Sequence, residues 1–341
     1  MAPTRRYFPF VQFEFTHSLG LAAGRYLMQP PEPAAPAPAE APARTAVAAG
    51  SARASAPAAP EPEELRAGPP IERGTGDQRL LASADVLVVR VRGGKASSGG
   101  FLRRGGAKEQ SPADEPAEVP LTIATLIRGR EMLTDKMAAD QLIRAMEPAE
   151  RERWIREALA DLNRAVGVYR LCSADPYVFD VSRADPRAVR IGHGFSEEVF
   201  AGKWTRSVLV DPPPAPKLSR HLQLAPSEGT AAVLAGQATT MESEELVLRV
   251  LLDLDQGRLR AAAVGLKAAL DLLLNELAGQ VISGRVRMLI DAITELQEPI
   301  ATLALRGCRT QLGPKEGAEL ADYAEQIGAA IDRWRYEPRG Y

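Results

Sequence analysis

Residues 251–274, LLDLDQGRLRAAAVGLKAALDLLL, carry the strongest pattern in the chain and decide the fold of its C-terminal part. Gly257 lies between two apolar runs, where a left-handed helix end favours a residue without a Cβ. Residues 241–256 predict a helix that is apolar almost all round, and we expect it to be buried on more than one side. A stripe at helical spacing predicts a second helix, through Leu259, Ala263, Leu266, Leu270, Leu273 and Leu277.

Part of this hairpin, LDQGRLRAAAVGLKAAL at residues 254–270, resembles the hairpin turn of tetratricopeptide-type repeats. In those repeats, too, a glycine closes the first helix and small residues let the second helix approach closely. The resemblance implies an arm of a partner-binding helical repeat. However, no second copy follows at a period of about 34 residues, and a lone unit cannot bury its own face. We therefore expect the hairpin to close a local core with the helices that follow it.

The next apolar residues are spaced alternately four and three positions apart, as in a heptad pattern. This seam is a candidate interaction surface, and its pattern fits packing inside a helical bundle and equally a homo-oligomer. Pro299 lies within it, so we expect the helix to kink or restart near Glu298. Residues 226–337 thus predict an all-α four-helix domain. The seam residues are Ile282, Val286, Leu289, Ile293, Leu296, Ile300 and Leu303.

The N-terminal part predicts an α+β domain made of residues 1–28 and 81–211. Residues 7–16 alternate as a half-buried strand, and strands are also predicted at 85–92, 119–128, 188–195 and 204–210. A helix from Thr134 to about Met146 and an apolar stripe within 150–172 predict a helix pair. We expect a mostly antiparallel sheet with this pair on one face, and a flexible loop at 93–118.

Residues 29–80 and 212–225 are predicted linkers. Between Pro30 and Pro70 there are 11 prolines and 15 alanines among 41 residues, with Val47 and Leu65 as the larger aliphatic side chains. This apolar surface is too small to offset the cost of ordering the backbone. We therefore expect 29–80 to be a disordered Ala/Pro-rich linker, while the prolines of VDPPPAPK, residues 210–217, mark the second boundary.

Composition excludes several classes of protein. A net charge of −2 over 341 residues gives no general attraction to nucleic acid or to an anionic membrane. Cys172 and Cys308 form no paired motif, so we expect no zinc site and favour two buried free thiols over a single bridge between them. The apolar run near the N-terminus is interrupted by Gln12 and Glu14, and no stretch of about 18 apolar residues follows. We expect a soluble cytoplasmic protein that does not associate with membranes.

Candidate functional residues are few, and no catalytic motif, cofactor motif or metal-ligand spacing is recognisable in the sequence. His193, within Gly-His-Gly, is either a functional imidazole at a strand end or a loop histidine between two turn-forming glycines, and we favour the loop. Residues 86–108 contain basic side chains and no acid, which makes them candidates for binding anions. These are Arg90, Arg92, Lys95, Arg103, Arg104 and Lys108.

Taken together, these patterns lead us to expect a non-enzymatic interaction or scaffold protein that needs no cofactor. Its C-terminal helical domain would bind a protein partner or a second copy of the chain. The alternative is that the basic glycine-rich loop of the α+β domain binds a phosphorylated ligand or nucleic acid.

Overall fold

The computed structural model describes residues 5–29, 84–93, 120–212, 220–278 and 284–335. These residues divide into two units, with the boundary between Pro214 and Ala215. The first unit contains a sheet with helices and the second contains helices, so the chain is α+β, as the sequence predicts. Most of the predicted linker 29–80 and of the predicted loop 93–118 lies outside the described residues.

Within the described residues, six strands form one sheet in which every neighbouring pair is antiparallel. The order across the sheet is β2-β3-β4-β1-β5-β6, which places the first strand of the chain near the centre. The strands are β1 Tyr7–Phe15, β2 Gly24–Met28, β3 Asp85–Arg92, β4 Leu121–Ile127, β5 Ala188–Phe195 and β6 Arg206–Val210.

Strand β1 is buried on both faces, so the prediction that it is half-buried is wrong. On one face Phe8 and Phe10 pack with Val199 and Phe200 of a short 3-10 helix, Ser196–Ala201. The polar Gln12 also points to this face. Gln12 is almost fully buried, and its amide donates a hydrogen bond to Thr125 Oγ1 at 3.0 Å, which offsets part of the cost of burying a polar group.

The other face of the sheet is covered by the predicted helix pair, α1 Lys136–Ala145 and α2 Pro148–Ser173. Helix α1 begins at Asp135, whose carboxylate accepts hydrogen bonds from the backbone N–H groups of Met137 and Ala138, rather than at Thr134. The core between the helices and the sheet includes Val11, Phe13, Phe15, Leu87, Leu126, Trp154, Ile155, Leu162 and Ile191.

The C-terminal helices are α3 Arg220–Leu234, α4 Glu242–Asp255, α5 Leu259–Leu277, α6 Gly284–Thr294, α7 Gln297–Arg309 and α8 Pro314–Arg335. Residues of α4 to α8 share one core, so the described part of this unit has five packed helices where the sequence predicts four. The predicted third helix is divided because Pro299 cannot continue a helix from residues before it. The chain therefore restarts at Gln297.

The two cysteines differ from expectation in their burial. Cys172 and Cys308 are free thiols, but both are exposed. The expectation of buried thiols is wrong because each lies on the outer side of its helix, away from the core.

Gly192 offers a test of how tightly the sheet packs. A Cβ at this position would lie 2.8 Å from Ser207 Cα and 2.9 Å from Phe10 Cζ. Gly192→Ala should therefore lower the free energy of unfolding by about 1–3 kcal/mol or more, because backbone and ring must move. Gly24→Ala in the same sheet is the control, since its nearest atoms lie at ordinary contact distance. Equal midpoints of chemical denaturation for the two variants would contradict the conclusion that the sheet is tightly packed at Gly192.

Candidate functional site

Helix α4 exposes three leucines on one side, which we call the α4 outer face: Leu248, Leu251 and Leu252. Their exposed fractions are 63%, 44% and 42%, and the spacing i, i+3, i+4 places them together. Val247 and Val250 on the opposite side are buried in the core. The expectation that α4 is buried on more than one side is therefore wrong for the described residues, because no described helix covers this face.

The N-terminal end of α4 is fixed by polar contacts. Glu276 of α5 accepts hydrogen bonds from the Glu242 N–H at 2.7 Å and from the Ser243 hydroxyl at 2.5 Å. Glu244 forms an ion pair with Arg335 of α8. These contacts and the buried valines hold the helix on two neighbours, so its outer face is presented on a rigid element.

The α4 outer face has an acidic residue at each end. Glu245 lies three positions before Leu248, and Asp255 lies three positions after Leu252; both acids are exposed. Glu245 accepts a hydrogen bond from Arg249 Nε at 3.0 Å, a contact between two well-exposed side chains that stabilises little. The arrangement is an aliphatic patch with the Glu245–Arg249 ion pair at one end and the Asp255 carboxylate at the other.

The predicted interaction seam lies largely inside the core of the second unit. Val286, Ile293, Ile300 and Leu303 are buried, while Leu289 and Leu296 are half-buried and pack against the same core. Ile282 lies outside the described residues. The heptad spacing therefore serves packing within the chain at these six positions.

His193 lies within β5, not in a loop, and its side chain has no exposed surface. Its Nε2 lies 2.9 Å from Asp140 Oδ1 of α1, and the Tyr7 ring packs edge-on at 5.8 Å between ring centroids. A ring without exposed surface cannot reach a substrate in solvent. The contact instead fastens α1 to the sheet.

The glycines beside His193 have a packing role and do not form a turn. Phe10 packs on Gly192, and a Cβ on Gly194 would lie 2.7 Å from Val199 Cβ. Neither glycine has a positive φ. The interpretation of Gly-His-Gly as a turn is therefore wrong, because the small residues make room for the aromatic and aliphatic side chains of the other face.

Asp140 has a pKa below its ordinary range. The main cause is the hydrogen bond from His193, and the positive charges of Arg206 and Lys136 act in the same direction against partial desolvation. The carboxylate therefore favours its charged form in the folded chain. This electrostatic arrangement fits a structural contact between α1 and the sheet.

The structure describes two of the six basic candidates for anion binding. Arg90 Nη1 donates a hydrogen bond to the Ala201 carbonyl at 2.5 Å, so its guanidinium is used to hold the 3-10 helix. Arg92 is exposed at the end of β3. Lys95, Arg103, Arg104 and Lys108 lie outside the described residues.

Comparisons with known proteins give no relative: no family model, no curated protein and no solved structure matches the chain. In the part of the chain that the structure describes, no helix is long and apolar enough to cross a membrane. Within the same residues, no group of three His, Cys, Asp or Glu side chains is placed to hold a metal ion. Any function must therefore be argued from the surface itself.

The α4 outer face was missed at the sequence level, although a signal was present. A helix that is apolar all round has more apolar surface than one core contact can cover, so one side must face another element or solvent. The partner of His193 gave no such signal, because Asp140 lies 53 positions away in sequence.

The seam can be tested by comparing two residues of α7. Ile300 is fully buried and Leu305 is exposed. We expect Ile300→Ala to lower the free energy of unfolding by about 2–5 kcal/mol, because it leaves a cavity. Leu305→Ala should change it by about 0.5 kcal/mol or less. Denaturant unfolding of the full chain measures both, and equal values would show that the seam is not core.

The Asp140–His193 contact predicts a pH dependence of stability. Because the pKa of Asp140 is lowered in the folded chain, its contribution is complete above the ordinary value of 3.8 and is lost as the pH falls through the lower folded value. Asp140→Asn should therefore lower the melting temperature at neutral pH. The difference in melting temperature from the wild type should shrink as the pH falls below 3.8.

Glu131 provides a comparison with the opposite sign. Burial is the main cause that raises its pKa, so its charge is unfavourable in the folded chain at neutral pH. Glu131→Gln should raise the melting temperature at neutral pH and lose this effect in acid, where the wild-type side chain is protonated. The same sign for both variants would contradict the electrostatic assignment.

Proposed function

We propose that the protein is a non-enzymatic interaction protein whose C-terminal helical unit binds an amphipathic helix of a protein partner on the α4 outer face. The observation that carries the proposal is the exposure of Leu248, Leu251 and Leu252 on a helix whose other side is anchored in the core. Burial of a leucine side chain stabilises by about 1.5–3 kcal/mol, so three together supply a useful driving force.

The charges at the ends of the α4 outer face favour a foreign helix over a second copy. If two copies pair antiparallel through their leucines, Glu245 of one copy approaches Asp255 of the other. If they pair parallel, each acid approaches its own equivalent. Because Glu245 is paired with Arg249 of its own helix, the repulsion rests mainly on Asp255, which approaches a second Asp255 in the parallel arrangement. A helix with central apolar residues and Lys or Arg at its ends avoids this repulsion.

We also propose that α4 and α5 form a tetratricopeptide-like hairpin. Gly257 has a φ of +67° between the two helices, where residues with a Cβ are strained. A Cβ on Gly265 would lie 3.0 Å from Val250 Cγ2, so the small residue lets the helices approach closely. Both features support the resemblance seen in the sequence.

The alternative function is binding of a phosphorylated ligand or nucleic acid through the basic loop. It is supported only by the basic residues of the sequence. The Arg90 guanidinium is engaged with the Ala201 carbonyl, and no observation of the described residues favours this function over the first.

The proposal predicts selective binding of a synthetic amphipathic peptide. Its probe is a labelled helical peptide of about four turns with leucines at i, i+3, i+4 and i+7 and lysines at both ends. We expect this peptide to bind the full chain in fluorescence anisotropy, and to bind more weakly as salt is added. The double variant Leu248→Glu with Leu252→Glu should weaken binding by about tenfold or more.

Two controls make the experiment decisive. The same peptide with glutamates at its ends should bind poorly, and Leu305→Glu, which changes an exposed leucine of α7, should leave binding intact. Equal binding of both peptides, or no effect of the α4 double variant, would overturn the proposal. A wild-type dimer in light scattering that the double variant makes monomeric would show instead that a second copy is the occupant.

A further inference from the structure

A cavity of about 540 Å³ lies in the first unit between residues 17–20, in the loop that joins β1 to β2, and residues 177–185, in the loop that joins α2 to β5. Its lining includes two aromatic rings, Tyr177 and Phe179, and two carboxylates, Asp180 and Asp185. The lining also includes the imidazole ring of His17, and none of the described residues that line the cavity is Lys or Arg. The cavity belongs to a different unit from the α4 outer face.

The two rings are held at the surface by a fixed loop. Tyr177 and Phe179 are 81% and 69% exposed, whereas Val178 between them is buried. The carbonyl of Val178 accepts a hydrogen bond from Arg170 at 3.0 Å. Asn163 bonds both backbone groups of Val181, at 2.8 and 2.9 Å. Large exposed rings on an anchored loop favour a binding role, because apolar surface of this size is usually buried inside the protein or against a ligand.

The carboxylates of the lining are fixed as well. Asp180 forms an ion pair with Arg170, with 3.6 Å between Nη2 and Oδ1. Asp185 Oδ2 accepts a hydrogen bond from the Ser182 N–H at 2.6 Å. Arg170 balances the charge of Asp180, whose side chain is almost fully buried, so the groups of the lining that favour a cation are the Asp185 carboxylate and the π-faces of the two rings.

We propose that this cavity binds a quaternary ammonium cation. A cation of this kind needs no hydrogen-bond acceptor, which suits a lining whose two carboxylates already have partners within the protein. The rings of Tyr177 and Phe179 would contact its methyl groups, and the Asp185 carboxylate would complement its charge at longer range. The volume lies within the range of about 300–1,000 Å³ that is usual for small-molecule sites.

The test compares choline with 3,3-dimethyl-1-butanol, which has the same shape without the charge. Both are titrated into the full chain and followed by NMR. We expect choline to bind about tenfold more tightly or better, because the neutral analogue loses the attraction to the rings and the Asp185 carboxylate. The amide of acetylated trimethyl-lysine is a third arm. If it binds more tightly than choline, the cation comes from a modified protein, and otherwise from a small molecule.

Variants decide whether the rings act as proposed. Tyr177→Leu and Phe179→Leu keep an apolar side chain but remove one π-face, and each should reduce the preference for choline. Leu171→Ala is the matched control, since this exposed residue at the end of α2 does not line the cavity. Unchanged melting temperatures would show that the variants are folded. Equal binding of choline and its neutral analogue, no binding of choline, or an unchanged preference in the leucine variants would overturn the proposal.

Discussion

The first unit depends on the position of β1 at the centre of its sheet. Its partners β4 and β5 are far along the chain: Gln12 bonds Thr125 across 113 positions, and Val11 pairs with Ile191. Because β1 is buried on both faces, it joins the two halves of the sheet and contributes to both cores. The cost of bringing such distant segments together must be met before these contacts form, which is typical of slow-folding β topologies.

Alternation of apolar and polar residues predicted most strands, and apolar residues at helical spacing predicted the helix pair. Neither pattern predicted how deeply β1 is buried. Its outer face is covered by Val199 and Phe200, which come from SEEVFA, a segment without helical or strand periodicity. His193 shows the same limit, because its environment is made by Asp140 of a distant helix and by Tyr7 of β1. Local patterns predict the orientation of a side chain in its own element, but not what covers it.

In the second unit, periodicity predicted the helices and the break at Pro299, but not which apolar faces meet each other. A heptad seam has the same pattern whether its partner is a helix of the same chain or of another. Ile300 belongs to the core, while Leu248, on a helix that is apolar all round, faces solvent. Hydropathy counts apolar residues, whereas burial depends on how many neighbouring helices are present. The apolar residues of α4 indicate that one side must face another element or solvent, but only the packing of the helices shows which side this is.

The positions of charged side chains on the described surfaces suggest a different kind of partner from the one that the charge of the sequence suggests. The sequence has nearly balanced charge and one basic segment, which favours an anionic ligand. The described surfaces have the opposite preference: Glu245 and Asp255 flank the leucines of α4, and Asp180 and Asp185 line the cavity beside Tyr177 and Phe179. Two of these acids are balanced by arginines, Asp180 by Arg170 and Glu245 by Arg249. The proposed preference for a positively charged partner therefore depends mainly on Asp185 in the cavity and on Asp255 beside the leucines.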